Sequence, residues 1–441
     1  MPKVIKGFSE ETRTISFPDG IEEAGRCYLC HDAPCCKASP SQTDIPGFIS
    51  RMRSRNFKGA LRLIKESNFF PGITCRVSPY DEQCERVCLR NKYGGPIRIA
   101  ELERLLTDYD METKRPYMPP VPESVGKAVA IVGSGPTGLA AAVELVLSGC
   151  KVIIYESSRI PGGVLTKGVP SYLISDKVID HEVSSVLDLG VDLVTGINVG
   201  DNINLISLKN SYDALLLTIG MGNAKRLDLP SSNKGEIFTG FDILESLKLK
   251  EKRVRVGDKI VIAGGGNVSL DVATSMSKLD IESVTLLYRK DRESMPVFSR
   301  RYDLCRESGV EILFRTVLKE IKTDSQEAIK HQAIKEVVCQ KTELKEEDGS
   351  VNAVPIEGSE FVIPADTVIY SIGQALDHTL VDLFSLETTE EGRIKVESDT
   401  NQTNDPFIFA AGSCVERTDT VIEAIAKGRR AARNIVRHLL D

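Results

Sequence analysis

The chain has 441 residues, 41% of them hydrophobic and 27% charged, with eleven cysteines and no tryptophan. That is enough for two or three domains with filled cores. A formal net charge of −7 gives no case for a nucleic-acid or anionic-membrane partner. The opening MPKVIKGFSEETRTISF has no apolar stretch of secretory type, and no apolar run approaches about eighteen residues, so neither export nor a membrane span is expected and the chain reads as cytoplasmic.

Residues 1 to about 112 read as helical. IPGFISRMRSRNFKGALRLIKESN has apolar positions at helical spacing with basic residues between them, and PIRIAELERLLTDYDMET sets Leu102, Leu105 and Leu106 on one side. Seven of the eleven cysteines fall here: Cys27, Cys30, Cys35, Cys36, Cys75, Cys84 and Cys88. In a large cytoplasmic chain, clustered cysteines suggest metal ligation more than disulfides. The other four are expected to act as small buried hydrophobes. KRPYMPPVPESVGK follows, and its four prolines favour an extended linker.

From Lys127 the pattern becomes strand, Gly-rich turn, alanine-rich helix, strand: KAVAIVGSGPTGLAAAVELVLSGCKVIIYES. Gly133, Gly135 and Gly138 form G-x-G-x-x-G around Ser134, Pro136 and Thr137. The first glycine permits the tight turn, the second admits a pyrophosphate to the backbone, and the third lets helix and strand pack closely. The helix N-terminus offers free N–H groups to the phosphates. Glu156, 23 residues after Gly133, ends the next strand, placed to accept hydrogen bonds from a ribose diol. No Gly-Lys-Ser/Thr follows, which excludes a P-loop.

The pattern recurs in DKIVIAGGGNVSLDVATSMSKLDIESVTLLYRK. Gly264 and Gly266 lead into Asn267 and Val268, with Ser269 in place of the third glycine. The next strand ends at Arg289 and Lys290, with Arg292 just beyond. An acid at such a strand end favours a free 2′-hydroxyl, and cations favour a 2′-phosphate, so this site should prefer NADPH. An exposed basic turn is the plainer alternative. Two dinucleotide sites in one chain suggest a flavoprotein, FAD in the first and NADPH in the second, whose hydride chemistry belongs to the cofactors. None of the five histidines stands in a catalytic motif, and no catalytic side chain is expected.

The chain resembles the small subunit of glutamate synthase and, more closely, the electron-input subunit of dihydropyrimidine dehydrogenases. The resemblance rests on CYLCHDAPC, RNFKGAL, GGPIRIAELER, VAIVGSGPTGLAAA, PGG at 161–163, GGGNVSLDVA, YRKDRESMP, YSIGQ, and DPFIFAAG followed by TVIEAIAKGRRAA. It implies an α/β protein with a helical iron–sulfur domain and linker (1–126), an FAD domain (127–235 plus 380–441), and an NADPH domain inserted in it (236–379). LLLTIG (215–220) and VIYSIG (368–373) would carry the chain between the two Rossmann-like domains. Matching these motifs adds Gly163, Gly412, Ser413 and Thr420 to the flavin site and Gly373 to the cofactor-binding set.

The family carries two [4Fe–4S] clusters. The ligand positions of one fall on Cys27, Cys30, Cys35 and Cys88, all present. Those of the other fall on Ser39, Ser78, Cys84 and Glu103, so two thiolates are missing from one site and none from the other. Iron–sulfur clusters take thiolate ligands, and one retained cluster is the expectation. Three alternatives stay open: a rearranged second cluster using Cys36, Cys75, Cys84 and Glu103, zinc on the four retained cysteines, or complete loss of metal. The family's Asp after the AAG glycine is Ser413 here, and a basic residue beside the flavin is replaced by Leu173.

The expected activity is NADPH:acceptor oxidoreduction through FAD and one [4Fe–4S] cluster. The acceptor would be a larger FMN- or iron–sulfur-containing partner subunit or a small molecule. A freestanding diaphorase-type reductase, or a degenerate scaffold subunit of such a complex, is the alternative.

Overall fold

The computed structural model describes residues 10, 13–113, 116–229, 237–249, 256–323, 334–347 and 350–441. Lys114 and Arg115 of the linker, His331, and the expected boundary at 235–236 lie outside them. The chain divides into two units, one containing residues 222–375 with 167–170, the other 9–166, 171–221 and 376–441.

The second unit begins with helices Phe17–Gly25, Pro34–Ala38, Ile45–Arg53, Phe57–Ser67, Pro71–Val77 and Ile99–Glu112. The basic amphipathic run is two helices, because Arg55 sits at φ 58° and Asn56 starts a new helix, its side chain accepting from Gly59 N–H at 3.0 Å. Both helices bury their apolar faces, with Phe48, Ile49, Met52, Leu61 and Ile64 packed against Leu102, Leu105 and Leu106. This core brings the two cysteine-bearing segments together, since Cys27, Cys35, Cys36 and Cys88 pack on its edge. The helical region is fastened to the rest of the unit by polar contacts, one of them buried. Glu182 accepts from Gly72 N–H at 2.8 Å, and Arg429 pairs with Glu144 at 2.9 Å while donating to Glu66 O at 2.8 Å.

The same unit holds a five-stranded parallel sheet in the order Ile408–Ala410, Ala214–Leu217, Ala128–Val132, Lys151–Glu156, Asp192–Thr195. The central strand is buried from Val129 onward, as a parallel strand covered on both faces must be. The C-terminal helix Val421–Leu440 packs on the helix Pro136–Leu147.

The first unit has a second five-stranded parallel sheet in the order Ile237–Thr239, Thr367–Ser371, Lys259–Gly264, Ser283–Leu287, Glu311–Leu313. It also has an antiparallel sheet of Thr316–Thr323, Ile334–Glu347 and Ser350–Pro364, which the sequence reading did not foresee. Among the described residues no helix is long and apolar enough to cross a membrane.

Candidate functional site

The first Gly-rich turn is built so that only glycine fits it. Gly133 has φ 101°, and a Cβ on it would lie 2.7 Å from Thr218 O. A Cβ on Gly138 would lie 2.0 Å from Gly133 O. Gly135 faces open space and is the N-cap of the helix Pro136–Leu147, whose first N–H groups have no partner within the helix. Glu156 ends its strand as expected, but its carboxylate is largely engaged: Oε2 accepts from Ser134 N–H at 2.9 Å and Ser134 Oγ at 2.6 Å, and Oε1 accepts from Ser158 N–H at 2.8 Å. Ser157 Oγ adds a long contact to Oε1 at 3.5 Å, so Glu156 holds the turn in shape and only that weakest position could be yielded to another donor.

Two more segments reach this turn. Gly163, at φ 56°, lies so close that a Cβ would be 2.8 Å from Gly135 Cα. Gly412, at φ 83°, sits against Thr137 Oγ1, with 2.6 Å to a hypothetical Cβ. Thr420 caps the C-terminal helix in a reciprocal capping box with Glu423. Sequence reasoning missed three supports. Thr218 donates to Gly133 O at 2.8 Å. Gly428 clears Thr137 O, with a Cβ there only 2.1 Å away. Arg393 donates to Ser413 O and lies 3.6 Å from Met221 Sδ, placing a cation on the loop where the family's Asp is Ser413. Leu173 is half-buried and offers no polar group.

The second turn repeats the design with one exchange. Gly264 has φ 154°, and Gly266 faces open space and caps the helix Asn267–Ser277. Ser269 replaces the third glycine and donates to Ser371 O at 3.0 Å, tying the turn to the neighbouring strand. Asn267 accepts from Phe298 N–H at 3.0 Å; Val268 packs on the core beneath. Gly265 has no freedom, since a Cβ would be 2.0 Å from the Tyr288 ring. The backbones of the two expected phosphate-binding cations are pinned: Arg289 O accepts from Thr342 Oγ1 at 2.6 Å and Lys290 O from Arg315 N–H at 2.9 Å. Arg292 stacks on Tyr302, 3.8 Å from the ring centroid. The nearby Asp291 is held by Ser294 N–H at 3.0 Å and lies 3.8 Å from Arg315. Gly373, at φ 106°, accepts from Lys225 N–H at 3.0 Å.

Cys27, Cys30, Cys35 and Cys88 line one cleft, walled by Ile45, Ile49, Ile97 and Ile99. Leu29, at φ 52°, turns its N–H onto Cys27 Sγ at 3.5 Å, and Ile97 N–H meets Cys88 Sγ at 3.5 Å. Burial pushes the Cys27 thiol up, with neighbouring Cys30 and Cys88 adding to it. Burial pushes Cys35 up to about 12. Such thiols stay protonated unless a metal takes the proton's place. Four cysteines line an apolar hollow, with backbone N–H groups aimed at two of the sulfurs, and their chemistry suits an iron–sulfur cluster, although among the described residues no three candidate side chains are already drawn together as metal ligands.

The other set of expected positions is packed differently. Ser39 is buried in a hydroxyl chain, 3.1 Å from Ser41 Oγ, which lies 2.8 Å from Thr43 Oγ1. Glu103 is 2% exposed and accepts from Tyr80 O–H at 2.6 Å. Burial raises its carboxyl to about 8. Cys84 is buried beside it, its thiol pushed well up by burial and then by Glu103. Cys75 donates to Gly72 O at 3.5 Å, and Cys36 lies near Asp44. Ser78 Oγ is buried without a partner, and one alcohol holds no cluster. The set of Ser39, Ser78, Cys84 and Glu103 offers one thiol, two alcohols and a carboxyl, a poorer donor set for a cubane than the four thiols of the cleft.

Paired nucleotide turns on two parallel sheets place the chain in the class of nicotinamide-dependent flavin oxidoreductases. The model of the pyridine nucleotide-disulphide oxidoreductase family matches residues 127–428, and the chain belongs to that family. A model described as dihydropyrimidine dehydrogenase domain II, 4Fe-4S cluster, matches residues 4–115. The chain is 34% identical to the NAD-dependent dihydropyrimidine dehydrogenase subunit PreT of Escherichia coli, over 95% of this chain and 94% of that one. It is 30% identical to the glutamate synthase [NADPH] small chain of the same organism, covering 95% and 91%. FprA of Mycobacterium tuberculosis shares the fold at TM-score 0.59 and 18% identity, over 71% of this chain and 84% of that one. Thioredoxin reductase of T. acidophilum does so at 0.53 and 18%, over 71% and 100%. The resemblance read from the motifs is thus borne out, as are the α/β class and the oxidoreductase activity.

Proposed function

We propose that the chain passes electrons from NADPH, through FAD and a single [4Fe–4S] cluster, to a partner subunit or a small acceptor. The observation that carries this reading is the pair of glycine turns, one on each parallel sheet, in a chain that also gathers four cysteines around an apolar cleft. When bound, FAD takes the hydride of NADPH, and the cluster takes electrons singly.

The protein's part is positional. Residues 127–235 plus 380–441 hold FAD, with Gly135 and the N-terminus of Pro136–Leu147 receiving the pyrophosphate and Glu156 Oε1 taking the ribose in exchange for its long contact with Ser157 Oγ. Residues 236–379 hold NADPH, with Gly266 at the phosphates and Arg289, Lys290 and Arg292 at the 2′-phosphate. The dehydrogenase relative is named as NAD-dependent and the glutamate synthase relative as NADPH-dependent, and the basic strand end supports NADPH. Residues 1–126 hold the cluster on Cys27, Cys30, Cys35 and Cys88. Both relatives are named as parts of larger assemblies, which supports a larger partner subunit; an FMN or iron–sulfur centre in it is the acceptor this chain's electrons would suit.

The test is anaerobic NADPH oxidation by FAD-replete protein with menadione as acceptor. Turnover faster with NADPH than with NADH is expected. Absence of turnover in flavin-loaded protein would overturn the reading in favour of a scaffold role.

A further inference from the structure

The two loops that carry the cleft cysteines also carry large apolar side chains facing solvent. Tyr28, next to Cys27, is 51% exposed; Val87 and Leu89, on either side of Cys88, are 38% and 45% exposed; Tyr93 is 66% exposed. Tyr28 and Leu89 themselves line the cleft while standing exposed, so this face joins the four cysteines to solvent. A scattered exposed aliphatic needs no explanation. Several together over a redox site mark an interaction surface.

The loops are held firmly. Arg90 stacks on Tyr28 at 5.0 Å and donates to its hydroxyl at 2.9 Å. Arg26 donates to Gly94 O at 2.7 Å and Gly95 O at 2.9 Å. Asn91 donates to Glu85 O at 2.9 Å and Arg86 O at 2.8 Å. The apolar side chains therefore stand on a shaped platform, not on a slack loop.

Its charge is one-sided. From Arg86 to Arg98 the chain carries four basic residues and no acidic one, in a protein of net charge −7. Arg98 is paired with Glu101 at 2.8 Å and Glu23 at 3.5 Å, which leaves Arg86, Arg90 and Lys92 as the cations of this face. Arg53 is exposed and close enough to act electrostatically on Cys27. On the facing loop Asp32 is already taken by Lys37, and among the described residues no ion pair engages Arg53, Arg86 or Lys92.

Resting on the cluster reading above, we infer that this face docks a protein electron acceptor whose contact surface is apolar at the centre and acidic at its rim. A second copy of this chain would bring cation onto cation. The patch is small, as suits short-lived redox encounters, and opposite charge steers them. The balance is simple: NADPH becomes NADP+ with loss of a hydride, two one-electron acceptors are each reduced once, and one proton is released.

The test uses cofactor-loaded full-length protein with NADPH and three acceptors: acidic cytochrome b5, basic cytochrome c, and neutral menadione. Reduction of cytochrome b5 should fall about tenfold between about 50 and about 300 mM salt. It should fall by about as much at low salt in Arg86→Glu/Lys92→Glu. Tyr93→Ser, which removes apolar surface without changing charge, should also slow it. Menadione turnover and iron content should stay unchanged in both variants, and cytochrome c should gain from the charge reversal. The inference is overturned if wild type reduces menadione but not cytochrome b5, if b5 reduction ignores salt and both variants, or if wild type is a dimer that the variants dissociate. Failure of wild type with menadione would strike the proposed function instead.

Discussion

Tyr80 donates its hydroxyl proton to Glu103 across 2.6 Å in the interior of the helical region. Glu103 is the position that the resemblance implies as a ligand of a second cluster, and here it accepts a hydrogen bond from within the protein. The carboxyl is raised to about 8, first by burial, so near neutral pH it keeps its proton.

This bond gives a pH-dependent stability with a defined sign. Folded Glu103 titrates near 8 and the unfolded residue near its ordinary 4.5. Between those values the folded state holds the extra proton, so stability falls as pH rises through the window and levels off above it. Glu103→Gln, which can still accept from Tyr80, should match wild type near pH 4.5 and melt a few degrees higher near pH 8.5. Equal melting shifts at both pH values would show that the carboxyl is not neutral in the fold.

The two cysteine sets should respond differently to truncation. Cys88→Ala removes a thiol from the cleft and should abolish the bound iron and its visible absorbance. Cys84→Ala removes a thiol packed beside Glu103 and should leave iron unchanged. Loss of about half the iron in Cys84→Ala would mean that a second centre is ligated there.

Two glycines of the first turn separate folding from cofactor binding. A Cβ on Gly138 meets Gly133 O at 2.0 Å, while one on Gly135 meets no protein atom within 4 Å. Gly138→Ala should therefore lower the yield of folded protein. Gly135→Ala should fold normally and weaken FAD by about tenfold or more, read by flavin retention on gel filtration. Full retention in Gly135→Ala would move the pyrophosphate elsewhere.

Removing both strand-end cations tests cofactor choice. Arg289→Ala/Lys290→Ala should lower kcat/KM for NADPH by about 100-fold and for NADH by less than about threefold. Equal losses would show that these side chains do not read the 2′-phosphate.

Much of this was legible in the sequence, because the turn chemistry is local. G-x-G-x-x-G forces Gly133 and Gly138 by backbone clash, and the cysteine spacing places Cys27, Cys30 and Cys35 on one loop. Cys88 could be joined to them only through the family resemblance, since the helical core that unites the loops is a long-range contact. Other features depend on partners distant in sequence. Gly265 is fixed by Tyr288, Gly428 by Thr137, and Glu156 spends its carboxylate on Ser134. The antiparallel sheet had an unread local signal: Asp348-Gly349, a hairpin dipeptide, lies in sequence between two strands that pair antiparallel. The split of the basic helix followed from Asn56, an N-cap residue inside an otherwise continuous amphipathic run.

The proposed function rests most on a single cluster in a chain whose family resemblance implies two. Iron and acid-labile sulfide, measured against protein by quantitative amino-acid analysis in anaerobically purified material, test it most directly. About four irons and four sulfides per chain are predicted. About eight of each, or zinc in place of iron, would contradict it.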